Sequence, residues 1–129
     1  LPICFYHALK NVGISSTVVT PNGFPDFLMW LPGVDTVTKF SQSKELTAEI
    51  FSNADLIFCL DFNGFRRTES MEKILSDATG VKVLVDHHPD PESKFDHSFS
   101  FTEVSSTAEL VYELVSELYG DDCISKESA

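Results

Sequence analysis

The chain has 129 residues, 43% of them hydrophobic and eleven of them Phe, with a formal net charge of −11. That length suits one domain able to bury its own core, and the apolar content excludes a disordered segment. The charge excludes a broad basic surface for gripping nucleic acid; a phosphate-bearing ligand is still allowed, because bound divalent cations reverse the sign locally.

Taken in chain order, residues 3–11 carry apolar side chains at helical spacing and stop at Gly13, a suitable C-cap. Residues 17–20 read as a short β-branched strand closed by Pro21-Asn22-Gly23. Residues 24–30 suggest a brief apolar helix ended by Pro32-Gly33. Residues 43–52 suggest another helix, with Ser43 placed to cap it. The run Leu56-Ile57-Phe58-Cys59-Leu60 has the length and continuous apolarity of a strand covered on both faces. Residues 68–78 read as a helix with Ile74 and Leu75 inward, stopped by Gly80, and 81–85 as a second buried strand. Residues 99–104 suggest a short edge strand. Residues 105–119 form the clearest helix, with Ala108, Val111, Tyr112, Val115, Leu118 and Tyr119 on one stripe. Strands alternating with helices predict an α/β fold, a parallel sheet with right-handed crossovers and helices on both faces.

No apolar run approaches the ~18 residues needed to span a bilayer, and no basic-then-apolar leader opens the chain. A soluble protein without a membrane partner is the expectation. Cys4, Cys59 and Cys123 are odd in number and widely spaced, so they form neither a CxxC pair nor a disulfide framework. Reduced thiols suit a cytoplasmic location. Both ends read as cuts within a longer protein: the chain opens directly into a helix, and residues 125–129 look like the first turn of another.

In open parallel sheets, ligands bind beyond the carboxyl ends of the strands. The first buried strand ends in Asp61 and the second in Asp86-His87-His88-Pro89. The offset between Asp61 and Asp86 fits one loop–helix–strand crossover, so the two strands can be neighbours, about 4.8 Å apart, with their terminal side chains around one ion. Asp oxygen with His nitrogen suits Mn²⁺ and is tolerated by Mg²⁺, Fe²⁺, Co²⁺ or Zn²⁺; without thiolates a structural zinc site is disfavoured. The blander alternatives are a turn-forming Asp61 and a polar turn at 86–88.

These residues carry a resemblance. Val85-Asp86-His87-His88-Pro89-Asp90 resembles the signature of the DHH phosphoesterases, in the form found in their oligoribonuclease and pAp-phosphatase branch. Leu60-Asp61 followed by Arg67 resembles that family's second motif, and residues 102–112, with Ser105-Ser106-Thr107, resemble its Ser/Ser/Thr-led helix. The likeness runs over almost the whole chain. It implies a three-layer, doubly wound DHH domain over residues 1–129, with Asp61 bridging two metal ions and His87 a direct ligand. His88 becomes a catalytic, substrate-phosphate contact and Asp86 a catalytic-site residue that orients its neighbours. Arg67 becomes a phosphate or carboxylate partner, with Arg66 a substitute and an exposed loop Arg the blander alternative. Ser105, Ser106 and Thr107 open a helix whose free N–H groups favour an anion, although simple N-capping is the favoured account of them. Asp90, Glu92 and Asp96 read as solvated loop charges, and His7 and His97 have no evident partner.

The resemblance further implies a Mn²⁺-dependent hydrolase, with Mg²⁺ or Co²⁺ as substitutes, acting on short RNA or 3′-phosphorylated adenosine nucleotides. The family's first motif (a His and two Asp), its fourth-motif Asp and its C-terminal substrate-binding domain are not in the sequence. The isolated chain is therefore expected to be inactive, and assembly as a homodimer stays open. A non-catalytic nucleotide-binding module, or another DHH enzyme such as an exopolyphosphatase, an inorganic pyrophosphatase or a cyclic-dinucleotide phosphodiesterase, is the alternative.

Overall fold

The structure, a computed structural model, describes residues 1–128. Helix α1 (Pro2–Asn11) opens with Pro in its first turn, where the missing N–H has no helical acceptor to lose. It closes at Gly13, which adopts φ 81°. Strands β1 (Val19–Thr20) and β2 (Thr38–Lys39) pair in parallel. Helix α2 (Lys44–Asn53) leads into β3 (Leu56–Leu60), and α3 (Glu72–Asp77) into β4 (Val81–Asp86). Strand β5 (His97–Ser100) and α4 (Thr107–Tyr119) follow. A second parallel sheet has the order β3-β4-β5, with Leu60 opposite Val85 and Asp86 opposite Ser100.

The two-residue side-chain period of a strand explains the layers. Ile57, Cys59 and Leu84 face a core closed by Phe51 of α2, Leu75 of α3, Phe65 and Phe95. Phe58, Leu60 and Val85 face a second core closed by Phe5 and Leu9 of α1 and by Leu110, Val111 and Val115 of α4. Helices therefore cover both faces of a parallel sheet, the α/β arrangement expected. Burial pushes the Cys59 thiol up to about 12, partly offset by the Lys82 charge, so at neutral pH it is an inert core group. All three cysteines are free thiols. No helix among the described residues is long and apolar enough to cross a membrane.

Several local expectations need correction. The apolar segment around Phe27 forms only a three-residue 3₁₀ turn, Asp26–Leu28, bracketed by prolines, with Phe27 72% and Trp30 76% exposed. The helix expected from residue 68 is broken: a 3₁₀ segment Phe65–Met71 kinks at Glu69 (φ 54°) before α3 begins. The edge strand lies at 97–100 rather than 99–104, because its partner β4 ends at Asp86 and nothing remains to pair beyond Phe101. Ser43 sits at the N-cap of α2 without a capping side-chain bond; its carbonyl instead accepts the Thr47 hydroxyl at 2.8 Å. In α4 the buried stripe is Thr107, Leu110, Val111 and Val115, whereas Ala108, Tyr112, Leu118 and Tyr119 are exposed. Residues 126–128 do form a turn, closed by Ser125 and Ser128; Ala129 of the expected helical turn lies outside the described residues.

Gly80 shows how tightly the sheet is joined. A Cβ there would lie 2.4 Å from the main-chain oxygen of Ala54, an atom that cannot swing away. Gly80→Ala is therefore expected to destabilise the fold by about 1–3 kcal/mol, measured as a lower urea midpoint at unchanged slope.

Candidate metal centre

Strands β3 and β4 run side by side and end together: the Asp61 N–H donates to the Val85 carbonyl at 3.0 Å. Asp61 itself has φ 66°. This left-handed conformation is tolerated by Asp better than by most residues, and it turns the chain sharply at the sheet's rim. Strain of order 1–3 kcal/mol at such a position is characteristic of functional sites.

Asp61, His87 and His88 converge so that one ligand atom from each lies within 4.8 Å of the others. The pair foreseen from the sequence, one carboxylate and one imidazole from neighbouring strands, is separated by 3.8 Å between Asp61 Oδ1 and His87 Nε2. That is too long for a hydrogen bond. It falls between the about 3.0 Å and about 4.2 Å that separate ligands at 90° and 180° around an ion with bonds of about 2.1 Å. The donor set, one carboxylate and two imidazoles, is right for a first-row divalent cation.

Two of the three donors, Asp61 and His88, are held from behind. The buried Thr107 hydroxyl at the head of α4 donates to Asp61 Oδ1 at 2.7 Å, leaving Oδ2 free. His88 Nδ1 lies 2.7 Å from Asp86 Oδ1. With Nδ1–H donating to that carboxylate, the neutral His88 ring presents the lone pair of Nε2 to a metal, whereas the doubly protonated ring presents an Nε2–H donor to a phosphate oxygen. Asp86 is fully buried, and its Oδ2 has no partner. Its one observed side-chain hydrogen bond among the described residues is thus with His88. The His87 and His88 rings sit 4.7 Å apart, centroid to centroid, which restricts both.

The residues assigned to the substrate separate on inspection. Ser106 is an N-cap: its hydroxyl accepts the Glu109 N–H at 3.4 Å. The Ser105 hydroxyl donates to the Glu109 carboxylate at 3.0 Å, so the two serines are engaged in closing the helix start. Thr107 holds Asp61, a role that helix periodicity gave no means of finding. Arg67 is exposed, with its N–H on the Gly64 carbonyl and no ion pair among the described residues, whereas Arg66 pairs with Glu92 at 3.8 Å. Glu92 is more than a solvated charge: half-buried, it accepts the Phe65 N–H at 3.3 Å and pairs with Lys94 at 3.6 Å. Asp96 accepts the Lys82 N–H at 2.8 Å. The Nε2 of His7 meets the Pro32 carbonyl at 2.8 Å, and His97 is exposed on β5.

With this geometry in place, the family model for the DHH family, N-terminal domain, matches residues 3–129. The chain belongs to the DHH family. This DHH domain is also similar to an exopolyphosphatase-related protein from Bacteroides fragilis, known from a crystal structure, with 37% identity and a TM-score of 0.94. The alignment covers 97% of this chain and 37% of that one, so the DHH domain spans well under half the length of its solved relative. No curated protein matches it.

Thr107→Val, nearly isosteric, is expected to keep the DHH domain folded but to lower divalent-metal affinity in the intact polypeptide about 10- to 100-fold, the usual cost of removing a group that orients a ligand. Titration calorimetry with Mn²⁺ checks this.

Proposed function

We propose that the polypeptide containing this domain is a Mn²⁺-dependent phosphoesterase that hydrolyses short oligoribonucleotides or 3′-phosphorylated adenosine nucleotides. The observation that carries the reading is the convergence of Asp61, His87 and His88 at the common end of β3 and β4. A bound divalent pair supplies an activated water and neutralises charge on the phosphoryl oxygens. The chain's own residues do the rest. Asp61, fixed by Thr107, offers a carboxylate oxygen; His87 offers Nε2; His88, oriented by Asp86, holds Nε2 towards the same space, where it contacts a substrate phosphate. Arg67, exposed in the 3₁₀ segment Phe65–Met71, is placed to meet the rest of an anionic substrate.

Asp61 and His87, or three side-chain donors if His88 is counted, fall short of the six that a Mg²⁺- or Mn²⁺-type ion takes. The isolated chain is accordingly proposed to bind Mn²⁺ weakly and to be inactive, with a substrate-binding domain of the same parent completing the site. Three free thiols support a reducing, cytoplasmic setting. The name of the solved relative makes polyphosphate the competing substrate. Assaying the intact polypeptide with Mn²⁺ against short RNA, 3′-phosphoadenosine 5′-phosphate, polyphosphate and pyrophosphate tests the proposal. Preferential release from the first two supports it. Preference for polyphosphate or pyrophosphate overturns the substrate assignment, and nucleotide binding without turnover of any of the four overturns the enzyme assignment in favour of a binding module.

A further inference from the structure

Beyond Asp61 and Asp86 the sheet no longer sets the path of the chain. The last main-chain bonds at this rim run from the Asp61 N–H to Val85 and from the Phe101 N–H to Asp86. Asp61 begins one of the loops that leave these strand ends, and His87-His88 begins the other. Three hydrogen bonds cross between the loops. The Asn63 side-chain amide donates to the Pro89 carbonyl at 2.8 Å, and the Glu92 N–H donates to the Asn63 carbonyl at 2.8 Å. The Phe65 N–H in turn donates to Glu92 Oε2 at 3.3 Å. Beneath them the Phe65 and Phe95 rings meet edge to face in the first core, 5.1 Å between centroids. Asn63 follows Asp61 closely and Pro89 adjoins His88, so a shift of either loop is felt at a donor.

Gly64 makes room for the Glu92 carboxylate. Its φ is −165°, extended backbone that any residue adopts, so no turn calls for glycine here. A Cβ at this position would instead stand 2.6 Å from Glu92 Oε1 and 2.8 Å from the carboxyl carbon. The Glu92 side chain is 25% exposed, with Arg66 Nε at 3.8 Å and Lys94 Nζ at 3.6 Å. Ion pairs to such exposed cations contribute little. A half-buried main-chain N–H left without an acceptor costs more than such a pair gains. We infer that Glu92 is a positioning residue of the metal centre: by accepting the Phe65 N–H across the loops, its carboxylate holds Asp61 in register with His87 and His88. The inference rests on the reading of these three as metal donors. Donors already held at a common spot need no ordering when an ion binds, and affinity rises accordingly.

Calorimetric titration of the intact polypeptide with Mn²⁺, at a temperature where urea melts show every variant folded, tests it. Glu92→Ala and Gly64→Ala are each expected to lower affinity about tenfold, the lower end for a group that orients a ligand, because Glu92 acts one bond further out. Glu92→Gln keeps an oxygen for the Phe65 N–H and is expected to stay within about threefold of the wild type. The double variant should match Glu92→Ala alone, since that truncation removes the atoms the new Cβ meets. Wild-type affinity in either alanine variant overturns the proposal, whatever happens to the urea midpoint. A Gln variant as weak as Glu92→Ala also overturns it, in favour of the charge, as do losses that add in the double variant. Asp61→Asn separates the two readings. Unchanged Mn²⁺ binding there discards the metal centre and this inference with it; weakened binding there, beside wild-type affinity in Glu92→Ala, removes the role of Glu92 alone.

Discussion

Asp61→Asn in the intact polypeptide is expected to lower metal affinity and hydrolysis by at least about a hundredfold while leaving the fold unchanged. Three properties of the position separate these effects. Asn tolerates the left-handed backbone that Asp61 adopts at φ 66°. Its amide oxygen still accepts the Thr107 hydroxyl, so the buried donor keeps a partner. What is lost is the negative charge facing His87 Nε2, and with it most of the attraction for a divalent cation. Removal of a group that merely orients a ligand costs 10- to 100-fold, so removal of the ligand charge itself costs more. His87→Ala should match it in activity. Asp61→Ala should lose activity equally and also unfold more readily, by about 1–3 kcal/mol, since Thr107 is stranded without an acceptor. Mn²⁺ calorimetry beside urea melts distinguishes the three variants. A fully active Asp61→Asn protein would remove Asp61 from the site.

Leu84→Ala is expected to destabilise the protein by about 2–5 kcal/mol, a large part of the 5–15 kcal/mol that holds a domain together. Leu84 is completely buried in β4, the middle strand of its sheet, between Cys59 and the helices of the first core. The cavity it would leave is enclosed by Phe65, Leu75 and Phe95, side chains already packed against one another. Leu118→Ala provides the contrast. Leu118 is 57% exposed on α4, so its truncation should change stability by less than about 0.5 kcal/mol. Urea melts of the two variants, read as midpoints at a common slope, check both values. Similar losses would mean that α4 is rotated from its observed orientation.

The contrast between these leucines separates what a hydrophobic pattern carries from what packing decides. Helical period alone placed Leu118 inside and left Leu110 unremarked. The observed rotation of α4 packs Leu110, Val111 and Val115 into the second core, with Leu114 beside them, and also turns the Thr107 hydroxyl inward to Asp61 across a long sequence separation. A pattern of hydrophobic residues carries no information about such a polar bond. Proline-flanked Phe27 and Trp30 misled for a related reason, since apolar side chains signal burial only where a neighbouring element exists to cover them.

The amino-acid sequence by itself determined the alternation of strands and helices, the two apolar strands β3 and β4, and the Asp61 and Asp86-His87-His88 motifs at their ends. Those features are written in local patterns: continuous apolar runs, a two- or 3.6-residue period, and polar residues where the pattern stops. Only the tertiary structure decided that Asp61 and His87 meet at 3.8 Å, that Asp86 is buried behind His88, and that Thr107 holds Asp61. These depend on strand register, chain crossing and long-range hydrogen bonds, which are set by how whole elements pack against one another.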